Sequence, residues 1–332
     1  MQQHQHQHGF TMIELMVSLA IGLILVAVAV QLFVSGQVNY QIQQAASSVQ
    51  DSGVFGLNAV SKNIRLANHG NSGAMNDQSL YGGVVLSAQY VDEDATQKGN
   101  LHGLNVAEHP VSGANYISKS RFNPSAFGTL NSDQLVIMYQ APMDMRTCTG
   151  RQVRGPNRSL TQLTKGWYVI EKYYIKKNDD QSADLYCADS FFIAKGEIAP
   201  QSLIEEEEES LKIPTAEMLM GDYGQSTGHL IAKNVEYMRV QLVTRRQDQS
   251  TAVMDVDAYN KLEINEQHTS RPAIVGINLG WLVRADEKVQ QGTQRSYQVL
   301  DQKISVPDDH FMRQIYSTTI ALRNGGLGDV VQ

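Results

Sequence analysis

The sequence predicts an α+β protein: a long N-terminal α-helix, transmembrane and then amphipathic, packed on an antiparallel β-sheet head. Three observations predict it. No charged residue lies within 15–50, and no proline precedes Pro110. Past residue 130, short runs alternate apolar and polar side chains with the period of two of a half-buried strand.

The helix comes first. Residues 15–34 read LMVSLAIGLILVAVAVQLFV, with Gln31 as the one strongly polar member. At 1.5 Å per residue this run crosses a hydrocarbon core of about 30 Å. A core helix of a water-soluble protein would show a polar stripe, and none is present. Glu14 stands at the mouth of the run, and no Lys or Arg precedes Lys62. An ionisable side chain at a membrane span is a functional candidate that needs a partner. Local physics offers another role. Thr11 and Glu14 have the T-x-x-E spacing of a capping box, and a carboxylate in the first turn favours the helix dipole. The two roles are compatible, since they can use different oxygens.

The helix continues past the span. Val38, Ile42, Ala45, Val49, Gly56, Val60, Ile64 and Ala67 recur mostly at three- and four-residue steps, one apolar stripe. Gln, Asn and Ser, then Asp51, Lys62 and Arg65, occupy the other face. From Thr11 to Ala67 the rod would be about 85 Å long. Gly53 and Gly56 weaken a helix interior, so they mark a bend or a close contact. The run NHGNSG at 68–73 ends it.

Strands are expected at 135–139, at 167–170 followed by 173–175, and at 235–244. Val275, Ile277, Leu279, Trp281 and Val283 alternate strictly, as do Tyr316, Thr318, Ile320 and Leu322. Gly276 and Gly280 lie on the face opposite Trp281, where another segment could approach closely. Residues 74–130 read as a loop-rich insertion with short strands. Five glutamates at 205–209 read as a solvated boundary between two halves of the head.

Composition narrows the function. The net charge is −7 and the pI about 5.7, so no basic face is available to wrap a phosphate backbone. No direct nucleic-acid site is evident. The zinc-protease, nucleophile-elbow, P-loop and C-x-x-C motifs are all missing, and no cofactor or metal is expected. His4, His6 and His8 alternate, but a disposable polar leader or an engineered tag accounts for them better than a metal site. His69, His102, His109, His229, His268 and His310 are scattered, and Asn157-Arg158-Ser159 is only a formal glycosylation site. The glycines of 325–328 have no strand-to-helix context. Cys148 and Cys187 are the two cysteines. In an exported chain an even count suggests one disulfide, closing a loop worth roughly 4 kcal/mol in chain-entropy models; two buried thiols are the alternative.

The residues Gly9-Phe10-Thr11-Met12-Ile13-Glu14-Leu15, followed at once by the apolar helix, resemble the type IV prepilin motif, with Met12 the only departure. That resemblance implies cleavage by a prepilin peptidase between Gly9 and Phe10 and N-methylation of the new Phe10 amine. It also implies that Glu14 neutralises the terminal amine, at Phe10, of a neighbouring subunit. The leader lacks the usual basic residues and the apolar helix lacks the proline of many major pilins. A rival signal, Ala27-Val28-Ala29, would leave a soluble chain starting at Val30, but the missing basic n-region, Glu14 and the apolar residues up to Val34 oppose it.

Four further segments are similar to PilW-like minor pilins: 41–70, NVEYMRVQLV at 234–243, IVGINLGWLVRAD at 274–286 and RQIYSTTIALRN at 313–324. Cys148 and Cys187 fall where that family has a paired set. The family implies a role in priming type IV pilus assembly near the tip, and in twitching motility, adhesion or DNA uptake. It implies as partners other minor pilins, the major pilin, a tip adhesin of the PilC/PilY type, prepilin peptidase and the inner membrane. The expected organisation is a leader at 1–9, a transmembrane half-helix at 10–34, an amphipathic half at 35–67 and a periplasmic β-rich head at 68–332. The chain would sit in the inner membrane and then in the fibre at the cell surface. A type II secretion pseudopilin shares these features, and a membrane-tethered periplasmic hydrolase is the reading from another class.

Overall fold

Thr11 opens the rod. Its backbone is extended, and its hydroxyl accepts the Glu14 amide at 3.3 Å, as an N-cap does. The computed structural model describes residues 10–91, 95–128, 130–157, 163–179, 181–197, 214–225, 227–246, 248–264, 270–290 and 294–322. Helix α1 (Met12–Gln50), one π-helical turn (Asp51–Phe55) and α2 (Gly56–Ile64) form a continuous rod of 53 residues, about 80 Å long. Turns then carry the chain through Asn68 and Gly70, both at positive φ. The Asn68 amide donates to the Met138 carbonyl at 3.1 Å, tying the end of the rod to the head.

In chain order the strands are β1 (Gly83–Val84), β2 (Asn105–Val106), β3 (His109–Pro110), β4 (Lys119–Pro124), β5 (Asn131–Gln140), β6 (Met145–Arg146), β7 (Gln152–Val153) and β8 (Tyr168–Lys177). They continue with β9 (Ala183–Phe192), β10 (His229–Ala232), β11 (Val235–Arg245), β12 (Thr251–Met254), β13 (Ala273–Lys288), β14 (Ser296–Val299), β15 (Gln302–Ser305) and β16 (Phe311–Ala321). A short helix, α3 (Val256–Asn260), follows β12.

The strands build two main antiparallel sheets. One has the order β1-β5-β8-β9-β10, with β4 also on β5; the other is β12-β11-β13-β16. One core joins both to the rod. Ala45, Val49, Val60 and Ile64 pack with Ile137, Tyr139 and Val169 from the first sheet, and with Met238, Leu279 and Trp281 from the second. Behind the first sheet, Val85, Leu101, Leu104 and Val111 of the 74–118 segment cover Val136, Ile170 and Phe192. Behind the second, the β14–β15 hairpin covers Tyr237 and Leu282.

The strongest alternations became long strands, and the stripe on the rod is the buried one: Ala45, Val49, Val60, Ile64 and Ala67 are almost fully covered. Two details differ from the sequence reading. Among the described residues the head has two main sheets where a single one was expected. The alternation on β13 breaks at Val275: a register shift lets Ile274 face the core instead, and Val275 is partly exposed. The close approach expected at Gly280 is made by the side chains of Val299 and Leu300 of the β14–β15 hairpin.

Helical glycines mark where rod and head touch. A Cβ on Gly53 would lie 2.2 Å from the Tyr316 ring, and one on Gly56 would lie 2.8 Å from Ala232 Cβ. Gly36 has nothing within 4 Å of that position. Gly53→Leu is therefore expected to destabilise the chain by about 1–3 kcal/mol. Gly36→Leu should stay within about 0.5 kcal/mol of the parent. Urea unfolding of the full chain in detergent micelles reads both; equal effects would mean that Tyr316 yields freely.

Candidate functional site: an uncovered rod and the seam that seats it

Every large apolar side chain of 10–34 is between 50% and 90% exposed. An eighteen-residue apolar window of the rod has none of its residues buried. Covering one such side chain is worth about 1.5–3 kcal/mol, and a domain's whole net stability is about 5–15 kcal/mol. Water cannot be the medium of this segment. It requires lipid or other chains around it.

At its mouth the Thr11 hydroxyl caps the helix, but the other half of the capping box does not form. Among the described residues the Glu14 carboxylate has neither a hydrogen bond nor an ion pair. Ser18 donates to the Glu14 carbonyl at 2.7 Å, a backbone contact. Lys62, the first basic side chain, is about 70 Å further up the rod. Among the described residues no cation of this chain lies within reach of Glu14. Phe10 is 82% exposed. Gly9 and the leader, with His4, His6 and His8, lie outside the described residues, as do 205–209, His268, Arg158, Ser159 and 325–328.

Cys148 and Cys187 are joined by a disulfide, with their Cα atoms 6.2 Å apart. Cys187 is on β9; Cys148 belongs to the excursion 141–167 between β5 and β8, which carries the β6–β7 hairpin. The same excursion is held by Asp189, which accepts from the Thr149 hydroxyl at 2.8 Å and from Arg151 Nε at 3.0 Å.

Beside the bridge lies a carboxylate that the sequence reading missed. Glu171 on β8 is fully buried. It accepts from the Cys148 amide at 2.7 Å, the Tyr173 hydroxyl at 2.6 Å, the Tyr139 hydroxyl at 3.1 Å and both oxygens from Asn63 Nδ2 of α2. Burial pushes its pKa up, and these hydrogen bonds pull against that. Lys172, next in sequence, points to the other face. Its Nζ donates to the Gln225 carbonyl at 3.1 Å and sits over the Tyr174 ring. Burial lowers its pKa to about 8. A Glu-Lys pair inside the apolar strand YVIEKYYI was the available signal.

Two buried ion clusters brace the head, the first between the two sheets and the second within the β11–β13–β16 sheet. Arg239 on β11 pairs with Asp133 of β5 at 3.2 Å, Asp255 at 3.0 Å and Asp301 at 2.7 Å. Arg313 on β16 pairs with Glu236 and Asp309, both at 2.6 Å. Between rod and head runs a groove lined by Ser48, Ser52, Phe55, Ala59, Ala232 and Asp286, in which Phe55 is 69% exposed. Among the described residues no three His, Cys, Asp or Glu side chains converge on a metal-sized site.

Two family models match parts of the chain. Residues 172–324 match the family model described as PilW, type IV pilus-assembly protein W. Residues 4–30 match the prokaryotic N-terminal methylation motif. No curated protein matches the chain. Among solved structures, the type IV-like pilin TTHA1219 from Thermus thermophilus aligns over 84% of this chain and 96% of its own, with 10% identity and a TM-score of 0.34.

Proposed function

We propose that this chain, a type IV pilin-like protein of the PilW family, is a minor pilin that helps to start pilus assembly and stays near the fibre tip. The observation that carries the reading is the apolar rod with its bare carboxylate: among the described residues nothing covers 10–34, and Glu14 has no cation within reach. Both needs are met when the segment lies first in the inner membrane and then among other rods. Prepilin peptidase cuts after Gly9, the Phe10 amine is methylated, and Glu14 pairs with the Phe10 amine of the next subunit. In low dielectric such a pair is strong, while each charge alone is penalised. The head then projects into the periplasm and meets other minor pilins, the major pilin and a tip adhesin, in support of motility, adhesion or DNA uptake. The role is structural and not catalytic.

Mass spectrometry of the mature N-terminus tests the reading. A chain starting at methylated Phe10 is expected. A chain starting at Val30 would end the proposal, because the rod would be gone.

A further inference from the structure

We propose that the Cys148–Cys187 disulfide governs how firmly the end of the rod is seated on the head, acting through the Glu171 carboxylate. Four segments meet at this one buried group. Asn63 comes from α2, Tyr139 from β5, Cys148 from the excursion, and Tyr173 from the strand of Glu171 itself. No cation is within salt-bridge distance of Glu171 among the described residues, so its charge is held by hydrogen bonds alone. One of the shortest comes from the amide of the bridged cysteine. A buried carboxylate that loses a donor is penalised, and its remaining partners are held less firmly.

With the bridge closed, Cys148 is pinned to β9 and its amide is delivered to Glu171. Closure takes one hydrogen from each thiol and two electrons in all. An external disulfide accepts them and leaves as two thiols; added dithiothreitol reverses the exchange and departs as its cyclic disulfide. With the bridge open, Thr149 and Arg151 still hold the excursion to Asp189, but Cys148 itself is free to withdraw. Glu171 then loses a donor and its grip on Asn63 weakens. The turn at 68–69 keeps its own tie to the Met138 carbonyl, so the loosening falls on 60–67. Firm seating of the rod thus follows oxidation, which an exported chain meets only after crossing the membrane.

Hydrogen–deuterium exchange on the full chain in detergent micelles tests this. Dithiothreitol is expected to speed exchange at 60–67 by about tenfold, while 235–245 stays protected. Glu171→Gln and Asn63→Ala, each with the bridge intact, are expected to speed the same amides to a similar degree. In either variant dithiothreitol should then add less than about twofold, since both act on one path. Unchanged exchange at 60–67 in the reduced parent would overturn the proposal. So would effects of reduction and of Glu171→Gln that multiply, or loss of protection at 235–245 on reduction, which would make the bridge a general staple.

Discussion

Glu14→Ala chains are expected in the membrane at parental levels and nearly missing from sheared fibres. Insertion should not suffer, because removing a carboxylate from the edge of a span relieves a cost that reaches about 2.5–3.5 kcal/mol at mid-bilayer. Incorporation should suffer, because the neighbour's amine would enter an apolar core unpaired. Breaking a buried ion pair from one side costs about 3–5 kcal/mol, a population change of about a hundredfold or more. Quantitative immunoblots of fibre and membrane fractions read both quantities. Thr11→Ala is the control for capping. It removes the one cap bond Thr11 makes, worth about 1 kcal/mol, and should leave incorporation near normal. If Glu14→Ala enters fibres as the parent does, the residue serves the helix alone.

Arg239→Met should cost about 3–5 kcal/mol of head stability. The guanidinium faces Asp133, Asp255 and Asp301, and Asp133 has no exposed surface. Without the arginine, Asp133 keeps only the backbone amides of Arg121 and Val240. Even in the parent, burial is the largest influence on Asp133 and holds its pKa up at about 6, against the pull of Arg239. The substitution can only raise it further. An acid whose folded-state pKa lies above its unfolded value is a burden above that pKa, and the burden is relieved as pH falls through it. The deficit of Arg239→Met should therefore be larger at pH 7.5 than at pH 5.5, shrinking as pH falls from the variant's raised pKa towards about 6. Arg239→Met with Asp133→Leu should recover much of the loss, because an apolar pair can replace a buried ion pair. Guanidinium unfolding at pH 7.5 and 5.5 measures this, with the pH values chosen on either side of about 6. A deficit that grows on acidification would show that Asp133 is not the group left stranded.

The rod was the most legible part of the sequence because its physics is local. A lack of charge over 15–50 and a 3.6-residue stripe do not depend on what packs against them. Long strands were legible for the same reason: β13 and β16 through their alternation and β11 through a partial one. β9 was not: ADLYCADSFF puts Asp184 and Asp189 into a strand whose polar members are paired by Asn178 of the preceding turn and by Asn234, Thr149 and Arg151 from distant segments. Its pattern makes sense only once those partners are in place. The hairpin β14–β15 was hidden by its shortness, since four residues hardly establish a period. In the candidate site, Glu14 was conspicuous because it stands alone. Glu171 was concealed because all of its partners are non-local in sequence except Tyr173. Gly53 and Gly56 were marked as a bend or a close contact, and the structure shows close contact at both.

The place where the rod first gains cover has a mechanical consequence. Past the apolar run, Val38, Gln41 and Ile42 are the first half-buried side chains among the described residues, and from Val34 to Val38 the rod climbs about 6 Å, much the depth of one headgroup layer, about 5–8 Å. If 15–34 fills the hydrocarbon, the base of the head rests on the lipid surface, like a float sitting on its waterline. A tilt of the rod then presses one edge of the head against the headgroups, so the bilayer itself holds the head upright until the chain is lifted out.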